Sequence, residues 1–260
     1  MNGMWKIVLI ATAFNLLFEY SMRGINNLQT QPILPLVLFT TYFTLFAMLE
    51  DLIARYRLKD YHLMAMAFSY GIVYQCLVSG AAFASLLFLG INWTSVLFVI
   101  TVWWGAVQTV MTFYLANRLA PRDWNRTGLS KKAWTALLSL NGLMVLLFQR
   151  YGGIPKGTGL GIAIMFLILI SSVVVFWKML PDKEERSRIP EFRKDRVMDL
   201  LSVLTVIIFT ICAIVFTFDP VKRGASNVNE TSTRIVVSWT IIVALAMLAE
   251  RVHSKSSISV

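Results

Sequence analysis

Residues 34–62 read "LPLVLFTTYFTLFAMLEDLIARYRLKDYH", and this stretch decides the fold. From Leu34 to Leu49 no residue is charged, and then Glu50 and Asp51 stand side by side, followed by Arg55, Arg57 and Lys59. A helix crossing a bilayer needs about 20 mostly apolar residues. The run over 33–54 meets that length, so it reads as a span that meets water at its charged end. Asp51 and Arg55 are spaced i,i+4 and share one helix face. They read as an ion pair at the membrane boundary, with Arg55 reaching toward the headgroups. Glu50 points roughly 100° away around the helix and has Ala54, not a base, at i+4. Its counter-charge must come from another helix, and Arg57, Arg118 and Lys194 are the nearest candidates. Without one, a lone charge in hydrocarbon protonates rather than staying ionised.

The rest of the chain repeats the pattern. Of 260 residues 57% are hydrophobic and only 15% charged, with a mean hydropathy of +0.67. Backbone amides in hydrocarbon must bond within their own helix. The expected fold class is all-α: a polytopic membrane helical bundle of about eight transmembrane helices with both termini cytoplasmic. The spans fall near 4–22, 33–54, 61–89, 93–117, 132–151, 158–179, 197–218 and 233–250. The whole of 1–260 reads as one integral membrane domain, localised to a membrane as a multi-pass protein. Orientation comes from Lys and Arg. Eighteen of the 24 lie in the tails and in the loops after spans two, four and six, and six lie opposite. That bias puts the richer side in the cytoplasm. It also accounts for the net charge of +10, so no nucleic-acid partner is expected. Trp5, Trp93, Trp124, Trp134 and Trp177 sit near span ends, as interface anchors do.

Polar side chains inside the spans mark where a cavity would lie. Span one carries Thr12, Asn15, Glu19 and Arg23 along one face. Span three carries Gly71, Gln75 and Ser79, with small residues continuing to Ser85. Span four carries Trp104, Gln108 and Thr112, and span five carries Asn141. Buried polar groups in a bundle are satisfied within it or line water. The polar-lined spans are therefore one to five, within 4–151, and spans six to eight, within 158–250, read as support. The candidate substrate-binding residues are Asn15, Glu19, Gln75, Trp104, Gln108 and Asn141. Glu50, Asp51, Arg55 and Arg23 are candidate gating or ion-pair residues. Amides with aromatic rings suit a neutral or zwitterionic organic solute.

Recognisable chemistry is sparse. Neither HExxH nor CxxC nor a Walker loop occurs, and "GTGLG" at 157–161 follows no strand. His62 and His253 fall at helix ends, where they read as solvated. No catalytic residue, metal ligand or cofactor is assigned. "NWT" at Asn92 and "NET" at Asn229 are glycosylation triplets. Besides the lipid bilayer, the partners expected are a small-molecule solute and a protein docked on the basic loop 178–196. Three functional classes follow: a small-solute transporter or facilitator, a non-catalytic membrane subunit or assembly factor, and an intramembrane lipid- or isoprenoid-modifying enzyme using Glu19, Glu50 and Asp51. The balance leans away from an enzyme. A water-filled cavity past Gln75 and Gln108 would favour transport, a dry core a subunit, and a lateral opening beside a carboxylate an enzyme.

Overall fold

The structure is a computed structural model that describes residues 3–84, 88–151, 156–182, 184, 186, 195–216 and 228–256. Among these residues eight long helices follow one another: α1 (Gly3–Arg23), α2 (Leu34–Tyr56), α3 (Asp60–Leu77), α4 (Trp93–Leu119), α5 (Lys131–Tyr151), α6 (Gly159–Met179), α7 (Arg196–Val215) and α8 (Glu230–Ser256). Five of them, α2, α4, α6, α7 and the Glu230–Arg251 part of α8, are long and apolar enough to cross a membrane. The protein is therefore an all-helical protein with the helices of a membrane protein.

Local chemistry sets the helix ends. Pro35 lies in the first turn of α2, where its missing N–H costs nothing. Gly24 ends α1 in a left-handed conformation (φ 78°) and donates its N–H to Tyr20 O at 2.8 Å. Arg57 ends α2 in the left-handed region at φ 51°, a conformation strained for a residue with a side chain, and Leu58 N donates to Ile53 O at 3.1 Å. Oxygen-bearing side chains cap the N-termini. Asn92 Oδ1 accepts from Ser95 N (3.0 Å) at α4, and Thr158 Oγ1 accepts from Gly161 N (3.1 Å) at α6. Asp195 accepts from Val197 N (2.8 Å) at α7, and Asn229 from Ser232 N (3.1 Å) at α8. Both glycosylation triplets thus have their asparagine, Asn92 or Asn229, occupied as a cap. Asn92 also donates to Ala84 O at 2.7 Å.

Span three ends earlier than its composition suggests. α3 stops at Leu77, Gly80 turns left-handed (φ 63°), and a 3-10 turn follows at Ala81–Phe83. Ser79 lies beyond the helix, where its hydroxyl donates to Gln75 Oε1 (3.2 Å) and accepts from Ala81 N. The small residues after it serve a turn, not a helix face. Residues 85–87, in the last part of that expected span, lie outside the described residues.

Within α4, Phe98–Met111 winds as a π-helix of 14 residues. Thr109 Oγ1 donates to Trp104 O, five residues back, at 2.6 Å. An i→i+5 winding is rare beyond a single turn and is frequent at functional sites. It breaks the expected i,i+4 stripe of Trp104, Gln108 and Thr112 by bringing Thr109 under Trp104.

The chain divides into two compact units. Unit 1 takes 1–43, 111–121 and 193–260. In it α1 packs on α7, α8 and the Thr112–Leu119 end of α4, with Phe14 and Phe18 against Phe209. Unit 2 takes 44–110 and 122–192. In it α3 packs on α6 and α5. Its apolar centre joins Ile72, Phe83, Ile91, Val96, Ile100 and Met165. Gly71 opens the approach there: a Cβ would lie 3.3 Å from Ile100 and 3.4 Å from Trp104.

Candidate functional site: an ion-pair clasp and an aromatic–amide cluster

Both centres lie in unit 2. The first answers the question posed by Glu50 and Asp51. Both carboxylates are fully buried at the C-terminal end of α2, because the segment after α4 folds over them. Arg122 grips Glu50 with both arms of its guanidinium: Nε reaches Oε1 at 2.8 Å, and Nη2 reaches Oε2 at 2.7 Å. This is the bidentate geometry that favours Arg over Lys. Arg126 donates to the Glu50 carbonyl at 2.9 Å and stands 3.7 Å from Asp51 Oδ1. Asp51 accepts three further bonds at 2.7 Å each, from Arg55 Nη2, Trp134 Nε1 and Leu129 N. Arg55 Nη2 also donates to Leu129 O at 3.0 Å. Gly128 lets the loop come this close, since a Cβ there would sit 2.8 Å from Arg55 Nη2.

Two buried carboxylates thus face three guanidinium groups, with every carboxylate oxygen hydrogen-bonded. Asp51 is buried rather than exposed. Its pair with Arg55 exists at 2.7 Å, yet only the Arg55 side of it meets solvent. Glu50 is bridged by Arg122, which is not among the expected bases. Arg57 terminates α2, Arg118 pairs with Asp199 at 3.2 Å in unit 1, and Lys194 lies outside the described residues. Trp134, expected as an interface anchor, spends its indole N–H on Asp51. Chemically the arrangement fastens a loop. Neither carboxylate is left exposed as an acid or base.

The second centre gathers side chains from four helices. Asn141 Nδ2 on α5 donates to Thr44 Oγ1 on α2 (2.9 Å) and to Tyr74 Oη on α3 (3.0 Å). Tyr74 lies 5.0 Å, centroid to centroid, from Trp104 on α4. Tyr70 meets the same indole edge-on at 5.3 Å and shares a hydrogen bond with Thr109 Oγ1. Edge-to-face contacts at this spacing suit aromatic quadrupoles. Of the six expected substrate residues, Trp104 and Asn141 join this cluster. Gln75 and Gln108 are buried in the same unit. Tyr70, Tyr74, Thr44 and Thr109 belong to it as well. Beside Trp104 and Asn141, the i,i+4 spacing of Tyr70 and Tyr74 is a further signal of the cluster in the sequence.

Asn15 and Glu19 lie in unit 1. Asn15 Nδ2 donates to Ala11 O (2.9 Å) and Thr112 Oγ1 (3.2 Å), joining α1 to α4. Glu19 accepts from Tyr42 Oη at 2.6 Å and pairs with Arg23 at 3.2 Å. His62, expected in solvent, is buried instead. Its Nδ1 accepts from Lys59 N (3.0 Å), which leaves Nε2 to donate to Met179 O (2.8 Å). The histidine therefore ties the start of α3 to the end of α6 as a neutral ring. In the basic loop 178–196, residues 183, 185 and 187–194 lie outside the described residues. Among the described residues no three His, Cys, Asp or Glu side chains converge on a metal-sized site.

No protein-family model, curated protein or solved structure matches this chain. Its function must be read from its own geometry.

Proposed function

We propose that this is a multi-pass membrane protein whose eight long helices all cross the bilayer, with both termini cytoplasmic. We further propose that it transports a small neutral or zwitterionic organic solute. The observation that carries this reading is the aromatic–amide cluster. Four helices send Thr44, Tyr70, Tyr74, Trp104, Thr109 and Asn141 to one place. Two tyrosines and an indole offer faces for a cationic or flat group. The amide of Asn141 and the hydroxyls, which bond one another here, can exchange those bonds for a solute's donors and acceptors. The π-wound stretch beside them supports the reading, because such windings are rare and frequently found at functional sites. The orientation rests on the bias of Lys and Arg to one set of loops.

The test is uptake into liposomes holding the purified full-length protein, with a radiolabelled panel of amino acids, betaines and nucleobases. Uptake of one class, lost in Asn141→Leu and in Trp104→Leu with folding intact, is the expected result. If no member of the panel moves or shifts the unfolding temperature, the transport reading falls. If uptake persists in both variants, the site falls.

A second reading rests on a specific observation. Asn141, Thr44 and Tyr74 bond one another, as the polar glue between packed helices does. On that reading the protein is a non-catalytic subunit, and gentle solubilisation recovers it with a stable partner. Both readings leave Glu50 and Asp51 a structural task.

A further inference from the structure

Unit 2 holds a cleft of about 560 Å³ that has no part in the aromatic–amide cluster. One wall is Val73, Cys76 and Leu77 of α3, and the other is Ile162, Phe166 and Leu169 of α6. The three α6 residues follow i, i+4, i+7, so the trough runs along the helix for about 10 Å. Phe83 and Gly157 meet at its end, where a Cβ on Gly157 would come within 2.8 Å of the Phe83 ring. α6 is mostly exposed, with Ile162 and Phe166 more than half open. In a helix this apolar, the exposed side is the side that faces lipid. One end of the trough differs from the rest. There Lys156 and Gln149 line it, and Gln149 Nε2 donates to Leu77 O. Among the described lining residues Lys156 is the single charge, and no carboxylate offsets it. It sits three residues before the first residue of α6, whose amino end adds partial positive charge.

An apolar trough open to lipid, with one cation at its mouth, has the charge pattern of an anionic amphiphile. We propose that the cleft is a binding site for one acyl chain of an anionic glycerolipid, with the lipid phosphate held at Lys156. The chain takes the place of side chains between α3 and α6. The phosphate provides the counter-charge that the lining lacks. Basic pockets between membrane helices hold anionic headgroups on the cytoplasmic side by the same pairing of charge and groove, and here the charge lies on the side opposite the termini in the proposed orientation. The site is independent of any solute the protein moves.

Cys76 lines the trough and makes a native reporter. The second cysteine, Cys212, lies in unit 1 and is removed as Cys212→Ala. The full chain is placed in nanodiscs of phosphatidylcholine alone or of an equimolar mixture with phosphatidylglycerol. Labelling of Cys76 by an uncharged N-alkyl maleimide is timed in each. The expected result is labelling several-fold slower with phosphatidylglycerol. Lys156→Gln should abolish that difference, whereas Lys178→Gln, at the opposite end of α6, should keep it. Native mass spectrometry should show phosphatidylglycerol retained by the parent chain and released by Lys156→Gln. Equal labelling rates in the two lipids overturn the proposal, as does a difference that survives Lys156→Gln. A Cys76–Cys76 crosslink would also overturn it by showing a second copy of the chain seated in the trough.

Discussion

Separating Glu50 from Arg122 gives the sharpest test of the clasp. The pair shares three N–H···O contacts at 2.7–3.1 Å, and only 6% of the Arg122 side chain and none of Glu50 is exposed. Removing one member of such a buried pair costs about 3–5 kcal/mol, because the other is left charged without water. The structure places Arg122→Met at the lower end, about 3 kcal/mol, since Arg126 still stands 3.9 Å from the Glu50 carboxylate. Glu50→Gln keeps one acceptor oxygen and leaves Arg122 over the Trp124 ring at 5.0 Å. It should cost about 1.5–3 kcal/mol, the range for a charged hydrogen bond. Both changes together remove both charges, so the losses should fall short of additivity by about 1–3 kcal/mol. Arg234 and Glu230 form a control pair, both nearly four-fifths exposed, and Glu230→Gln should cost less than about 1 kcal/mol. Added salt should weaken the control and spare the clasp, because screening acts in water. The assay is reversible unfolding in micelles, followed by tryptophan fluorescence. Additive losses, or a Glu50→Gln cost below that of the control, would refute the reasoning.

Other outcomes follow from the same geometry. Asp51→Asn should be as damaging as Glu50→Gln, because the amide cannot accept from Arg55, Trp134 and Leu129 together. Unfolding midpoints would show a boundary pair instead if the loss were within error. Trp134→Phe keeps the ring and deletes one donor to Asp51, and should cost about 1–3 kcal/mol by the same measurement. Gly128→Ala should destabilise by about 1 kcal/mol by pressing on Arg55, and the effect should vanish in an Arg55→Ala background if contact is its cause. Single cysteines at Asp123 and Gln29, both exposed, should label from opposite sides of a sealed vesicle, Gln29→Cys from outside. Labelling of both from the same side would overturn the orientation proposed from charge.

Much of the helical layout was legible because hydropathy blocks are long and local. The expected 33–54, 158–179 and 197–218 lie within three residues of Leu34–Tyr56, Gly159–Met179 and Arg196–Val215. Span three failed at its far end because composition does not reveal a left-handed glycine, and Gly80 turned an apolar stretch into a corner. The clasp was half legible. An unpaired Glu50 inside an apolar run demanded a base, yet the choice of Arg122 depends on a loop doubling back, which no periodicity encodes. His62 misled for a related reason. A histidine at a helix start is ordinarily wet, and the carbonyl that dries it belongs to Met179, 117 residues away. In the aromatic–amide cluster, Trp104 and Asn141 were visible as polar or amphipathic groups deep in apolar runs. Thr109 was hidden because the π-winding shifts the spacing that places it under Trp104.

The clasp also has a history in time. Arg122 is 72 residues later in the chain than Glu50, and Trp134 is 83 later than Asp51. At about 5–20 residues per second, synthesis leaves Glu50 without its grip for roughly 4–14 s. Arg55, by contrast, emerges four residues after Asp51 and can neutralise it within a second. The i,i+4 pair is thus the first counter-charge the growing chain meets. The helix end must stay in water, or in the hands of the insertion machinery, until the loop that closes over it has been made.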